Sequence, residues 1–238
     1  RVVKRFRGEG EYSTERFRLL YSNVMTMSPA LFNSQPIPDI RRRYGDRDED
    51  ARNVAQALER VVSCNAEKAD FKTVMKECVL HRLLPGRGVV RVRYEPKYAD
   101  ETEQEVVYES VGFESVPWQD FRHGPGKRWR DVPWIAFRIY PTRDELIALN
   151  PETGKDVPLN ARTSGTGEMA SDQPRNPADV YKRAEVWQIW DKERHEVVYH
   201  CNDYQDAPVA AIPDKLELEQ FFPTPEPLLA IRSPDDLQ

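Results

Sequence analysis

The chain has 238 residues, 39% of them apolar and 32% charged, enough for a core in one large or two small domains. Thirty-five basic against forty acidic side chains leave a net charge of −5, which excludes the broad basic surface of a high-pI nucleic-acid binder. Cys64, Cys78 and Cys201 are widely spaced, with no C-x-x-C pair, which argues against a disulfide framework and a zinc site, and no apolar run approaches the ~20 residues of a membrane span.

Ser13 has the chemistry of an N-cap. Behind it Phe17, Leu20, Tyr21, Val24, Met27 and Leu31 recur at helical spacing, predicting a helix to about Ser28, where Pro29 breaks or kinks it. Residues 33–48 hold Pro36, Pro38, the basic run Arg41, Arg42 and Arg43, and acidic residues from Asp46 to Asp50, the composition of an extended connector. Ala51, Val54, Ala55, Leu58, Val61 and Val62 form the apolar stripe of a second helix. A third follows Asp70 as N-cap, with Phe71, Val74, Met75, Cys78, Val79 and Leu83 on one face and Pro85-Gly86 as its stop. The short link between the last two suggests an αα-hairpin.

At Gly88 the period changes. Val90, Val92 and Tyr94 alternate with Arg91 and Arg93, then Val107, Glu109, Val111 and Phe113 continue a strand pattern, and Trp134 to Tyr140 is an aromatic, β-branched run. The box Thr142-x-x-Glu145 starts a short helix over Leu146, Ile147 and Leu149. Residues 150–179 are almost devoid of apolar groups and read as a flexible loop. Glu185 to Trp190 and Val197 to Tyr199 form a hairpin turning over Asp191 to Arg194, and six prolines from Pro208 to Pro234 keep the tail extended. The expected class is α+β, divided as a helical segment (1–85), a β-rich segment with a short helix (86–149), a loop (150–180), and a hairpin with a proline-rich tail (181–238). Residue 1 is Arg and the final Ser-Pro-Asp-Asp-Leu-Gln closes no element, so the chain reads as a piece of a longer one.

The chemistry-bearing residues point mostly to ordinary roles. Asp120 three positions before His123 is the second half of a triad, but no Ser or Cys stands in a nucleophile turn, so a loop histidine bonded to its own turn is the preferred reading. His195 and His200, five apart in a hairpin, fall on opposite faces, against a metal site with Cys201. Gly86-Arg87-Gly88 follows a helix and precedes a strand, the reverse of a phosphate-cradling loop. Arg87, Arg91 and Arg93 are candidate phosphate contacts on one strand face, weighed against pairing with glutamates of the neighbouring strand. Arg41, Arg42 and Arg43 are candidates for phosphate or an acidic partner, weighed against pairing with Asp46, Asp48, Glu49 and Asp50. Trp118, Trp134, Trp187 and Trp190 lie in or beside strand runs, where packing is a better reading than base stacking. No catalytic, cofactor-binding or metal-ligating residue is assigned.

Six strings occur in order: Leu83-Leu-Pro-Gly-Arg-Gly-Val-Val-Arg-Val-Arg-Tyr-Glu-Pro96, Val116-Pro-Trp-Gln-Asp-Phe-Arg-His123, Trp129-Arg-Asp-Val-Pro-Trp-Ile-Ala-Phe137, Thr142-Arg-Asp-Glu145, Val186-Trp-Gln-Ile-Trp-Asp-Lys192 and Phe221-Phe-Pro-Thr-Pro-Glu-Pro-Leu228. Together they resemble the portal proteins of tailed double-stranded DNA phages, in the group of short-tailed phages and related prophages, over roughly residues 15–230. The resemblance implies a non-enzymatic ring protein, usually of twelve subunits, at one capsid vertex of the virion, assembled in the bacterial host cytoplasm. Its implied partners are other portal subunits, the terminase that supplies ATP hydrolysis, capsid or scaffolding proteins, tail or adaptor proteins, and double-stranded DNA in weak, non-specific contact. The segments here would belong to the wing. The family continues past the position of Leu228 into stem helices and a clip, so terminase docking is not expected of this piece, and assembly is expected to be weak. Two other readings compete: a head-tail adaptor, separated only by the ordered strings, and a Mg²⁺-dependent nucleic-acid-processing enzyme using Asp120 and further carboxylates.

Overall fold

A computed structural model describes residues 2–7, 19–41, 49–99, 106–161, 182–204, 208–214, 217, 218 and 220–226. The fold is α+β, with helices first and antiparallel strands after them in two sheets. Two compact units divide the chain: residues 1–118 with 223–225, and residues 119–222 with 226–238. The change from helix to strand near residue 85 falls inside the first unit.

In the first unit, α1 (Val2–Arg7) meets α2 (Leu19–Leu31) through the rings of Phe6 and Tyr21, 5.2 Å apart. The expected stop at Ser28 is overrun. Pro29 lies inside α2, and the helical pattern resumes as the Phe32 amide donates to the Ser28 carbonyl at 3.1 Å. The missing donor of Pro29 costs one bond near the helix end without ending the helix. The expected helix start, at Ser13 with Phe17, lies outside the described residues.

α3 (Glu49–Lys68) and α4 (Phe71–Leu83) are joined by only Ala69 and Asp70 and pack as neighbours. Asp70 turns the chain in the left-handed region, at φ 50 and ψ 38, which Asp tolerates better than most residues. Its carboxylate accepts from the Thr73 hydroxyl at 2.9 Å and caps no backbone amide. The sequence locates this boundary but not its chemistry. β1 (Val89–Tyr98) and β2 (Val106–Val116) form a two-stranded antiparallel sheet pairing Val92 with Phe113 and Arg91 with Glu114. Phe71 of α4 contacts both Phe113 and Phe32 edge-to-face, at 5.0 and 6.4 Å.

Alternation along β1 sorts its faces less cleanly than expected: Val92 and Tyr94 are 36% and 42% exposed, whereas the Arg91 side chain is only 13% exposed. A sheet of two strands has no interior strand and offers edges on both sides.

The second unit is an antiparallel sheet whose spatial order follows the chain: β3 (Phe121–His123), β4 (Trp134–Ile139), β5 (Val186–Asp191), β6 (Glu196–His200) and β7 (Ala210–Pro213). Between β4 and β5 lies α5 (Arg143–Leu149), started by the full capping box that the sequence indicates: Thr142 accepts from the Glu145 amide, and the Glu145 carboxylate accepts from the Thr142 amide at 2.7 Å. Leu146 enters a core with Val157, Ala184, Val186, Cys201 and Val209, all fully buried.

Within the stretch expected as a loop, residues 150–161 make ordered contacts: the Asn150 carboxamide accepts from the Glu152 and Thr153 amides and donates to the Val209 carbonyl, fixing a turn that delivers Val157 to the core. Few apolar groups suffice when polar side chains satisfy the backbone around them. The remainder, 162–181, lies outside the described residues. The proline-rich tail also contributes strand β7, with Pro213 at its end on the sheet edge, where its missing amide costs least.

Candidate functional site

The first unit carries the arginines singled out by the sequence. Arg41 reaches Asp39, which precedes it, through Nε and Nη2 at 3.0 and 2.7 Å, with both side chains largely exposed. The Asp39 hydrogen bond and charge raise the Arg41 pKa further. Arg42, Arg43, Asp46 and Asp48 lie outside the described residues. Arg87 sits exposed between Gly86, at φ 91, and Gly88. A side-chain Cβ at Gly88 would strike the Cys78 carbonyl and its Sγ, so close approach of β1 to α4 requires glycine there.

Arg91 and Arg93 are brought together on β1 and converge on one carboxylate of β2. Arg91 Nη1 lies 4.0 Å and Arg93 Nε 3.8 Å from Glu114 Oε2, and Arg93 Nη2 lies 2.9 Å from Glu95. The Glu114 contacts cross to the neighbouring strand as the ordinary reading has it, whereas Glu95 lies on β1 itself. The net positive charge of this ladder is accordingly reduced.

Among the described residues a dense polar constellation lies in the second unit, around Asp120, which the sequence reading weighed only as a triad member or Mg²⁺ carboxylate. Arg138 of β4 donates from Nε to Asp120 Oδ1 at 2.6 Å, contacts the same carboxylate through Nη2, and reaches Glu185 at 3.2 Å through Nη1. The Tyr140 hydroxyl donates to Asp120 at 3.4 Å. Directly across the ladder, Trp187 lies under the Arg138 guanidinium at 5.6 Å and also meets that of Arg122 at 5.6 Å. Two cations thus share one indole, and two carboxylates offset the Arg138 charge.

Burial lowers the affinity of Arg138 for its proton, but the Asp120 hydrogen bond and charge outweigh it and the net direction is upward. The Tyr140 phenol is pushed up to about 12, first by burial and then by the Asp120 charge. Asp120 is engaged by Arg138, and the His123 Nδ1 lies 2.9 Å from the Gly124 carbonyl. The only sequence signal for this network is the Asp; the register that brings Arg138 and Glu185 to it is not readable there.

The remaining candidates divide between packing and exposed positions. The His195 ring packs on Phe221 at 5.5 Å, His200 ends β6, and Cys201 is fully buried in the core. Among the described residues no three His, Cys, Asp or Glu side chains converge as a metal site. Trp190 is buried against Phe221, and Trp129 packs on Phe222. Trp118 is 43% exposed.

No protein-family model matches this chain, and no curated protein matches it either.

Proposed function

We propose that this chain is part of a structural subunit of a phage portal ring, the channel at a capsid vertex through which double-stranded DNA enters and leaves. The observation that carries the reading is the set of six ordered strings, which run through both compact units from Leu83 to Leu228. Two features of the chain support it. Arg91 and Arg93 are offset by Glu114 and Glu95, and a passage for DNA must not grip phosphate, since each well-placed cation adds salt-dependent affinity. Asp120, the acid on which an enzymatic reading relied, is committed to Arg138, which favours assembly over catalysis.

In this role the subunit's partners are its own copies, with terminase, capsid or scaffolding proteins and tail components contacting the complete ring. Electron microscopy of the assembled protein, expressed from its whole gene, tests the reading. A ring with a central channel is the expected image, and a compact monomer overturns it.

A further inference from the structure

Residues 122–131 hold four cations, Arg122, Lys127, Arg128 and Arg130, against one carboxylate, Asp131, in a chain whose net charge is −5. Arg122 is occupied: its Nη1 donates to the Gln119 and Phe121 carbonyls at 3.1 and 2.9 Å, and its guanidinium stacks on Trp187. The other three lie on the connection between β3 and β4. There Pro125, Gly126, Lys127 and Arg128 are consecutive exposed residues, and the Arg130 side chain is 70% exposed. The Lys127 and Arg128 side chains have no hydrogen bond or ion pair among the described residues. Arg130 has Asp131 at 3.7 Å, with both groups in water, a pair that solvent screens to little. The arginines of β1 differ, being offset by Glu114 and Glu95.

The loop's backbone is fixed from several sides. The Gly124 amide donates to the Trp134 carbonyl at 2.8 Å, the Asp131 amide to that of Arg128 at 3.0 Å, and the Val132 amide to that of Trp129 at 3.1 Å. A Cβ at Gly126 would press on Val132, 3.0 Å away, so the chain doubles back too closely for a side chain there. Trp129 packs on Phe222, Val132 is buried, and the Lys192 ammonium donates to the Arg130 carbonyl at 2.9 Å. In the β5–β6 turn that carries Lys192, Asp191 and Glu196 are engaged by Arg194, at 3.9 and 3.4 Å, leaving Glu193 as the turn's other acid. Three cationic side chains therefore stand on a preformed support, which spares the cost of ordering a loop on binding.

We propose that this loop, through Lys127, Arg128 and Arg130, contacts the phosphate backbone of double-stranded DNA. Two guanidinium forks and one ammonium suit phosphate oxygens. The loop's large apolar side chains, Trp129 and Val132, are packed against the unit, so the tip offers charge without the apolar centre of a protein interface. A run of exposed residues from Pro125 to Arg128 projects and does not enclose, unlike the pocket a small anion would need. A duplex presents a continuous line of phosphates to such a tip, and contact with phosphate alone is independent of sequence. Three contacts give a logarithmic salt slope of about −2.7, a loss of roughly forty-fold between about 50 and about 200 mM salt. The attraction is thus weak at physiological ionic strength, as a passage requires. Duplex DNA as the partner rests on the portal reading; the loop's attraction for phosphate does not.

The test compares, in the full chain, Lys127→Gln/Arg128→Gln/Arg130→Gln with a control, Arg52→Gln/Lys72→Gln/Lys76→Gln, which removes as many exposed cations from α3 and α4. Each is checked for an unchanged circular dichroism spectrum. Fluorescence anisotropy of a labelled random-sequence duplex over a salt series should show the loop variant about tenfold weaker or more at low salt, its slope shallower by about 2–3, and the control within about twofold of wild type. Equal losses in the two variants assign the binding to net charge and overturn the proposal, as does a wild type that binds no duplex at low salt. Poly-glutamate that binds the wild type as tightly as the duplex, and not the loop variant, assigns the loop to an acidic protein segment and overturns it too. Microscopy of the assembled protein is read separately: a compact monomer whose loop still binds duplex removes the portal reading and leaves the loop's contact standing.

Discussion

Asp120 and Arg138, eighteen positions apart, are held by a 2.6 Å hydrogen bond from Nε to Oδ1, with side chains only 13% and 22% exposed. Neither charge can lose its partner without remaining poorly solvated. Asp120→Ala is expected to cost about 2 kcal/mol, between the values for exposed and buried pairs. Arg138→Met added to it should cost less than Arg138→Met alone, since Asp120 is no longer left unpaired, although Glu185 still loses its contact. Urea unfolding of both single variants and the double variant measures the coupling; additive losses would mean the pair contributes nothing specific.

Alkaline pH should weaken the second unit through Tyr140. Burial and the Asp120 charge raise its folded pKa to about 12 from an ordinary value near 10. A phenol that holds its proton more tightly when folded contributes stability fully present below pH 10 and lost as pH rises through 12. Tyr140→Phe should flatten that alkaline decline. Stability followed against pH by chemical unfolding, with tyrosinate absorbance as the titration readout, checks the sign.

Substituting Gly88 should be worse than substituting Gly86, although only Gly86 has a positive φ. A Cβ at Gly88 drives into backbone of α4, an overpacking expected to cost about 1–3 kcal/mol. At Gly86 a Cβ meets nothing within 4 Å, leaving the left-handed backbone cost of about 1–2 kcal/mol. Thermal unfolding of the two alanine variants ranks them.

If the portal reading holds, removing the shared carboxylate of the β1–β2 ladder should strengthen DNA binding. Glu114→Gln withdraws the partner common to Arg91 and Arg93. Non-specific DNA binding should strengthen, with the logarithmic salt slope steeper by about 1 for each additional phosphate neutralised. Fluorescence anisotropy across a salt series is the measurement; an unchanged slope would show that these arginines do not reach phosphate.

What the sequence made legible was local. The period of α3, the capping box at Thr142 and the hairpin of β5 and β6 are each written within a few neighbouring residues, and each is present. Long-range choices were illegible. The stripe of α3 identified a helix but not the face it packs, because Ala51, Ala55, Glu59 and Ser63 make the inward row through small size, not hydrophobicity. Strand β7 was hidden by prolines. The Asp120, Arg138 and Glu185 cluster depends on a strand register joining residues up to 65 positions apart, for which no one stretch of sequence carries a signal.

The chain-order sheet of the second unit sets a folding sequence. β5, β6 and β7 pair through short connections and can form on the ~1–10 μs scale of a hairpin. β4 joins only when Ile139 finds Val186 across the excursion that contains α5, and loop-closure entropy grows with that length, though slowly. The excursion is zipped in stages: the Ala184 amide meets the Pro141 carbonyl at 3.0 Å, and the Ala161 amide meets that of Arg183 at 2.8 Å. Each bond shortens what remains to be closed. Docking of β4 becomes the slow event, so truncating Phe137 should slow refolding more than an equally destabilising change in β7, a difference that stopped-flow fluorescence of Trp187 and Trp190 can resolve.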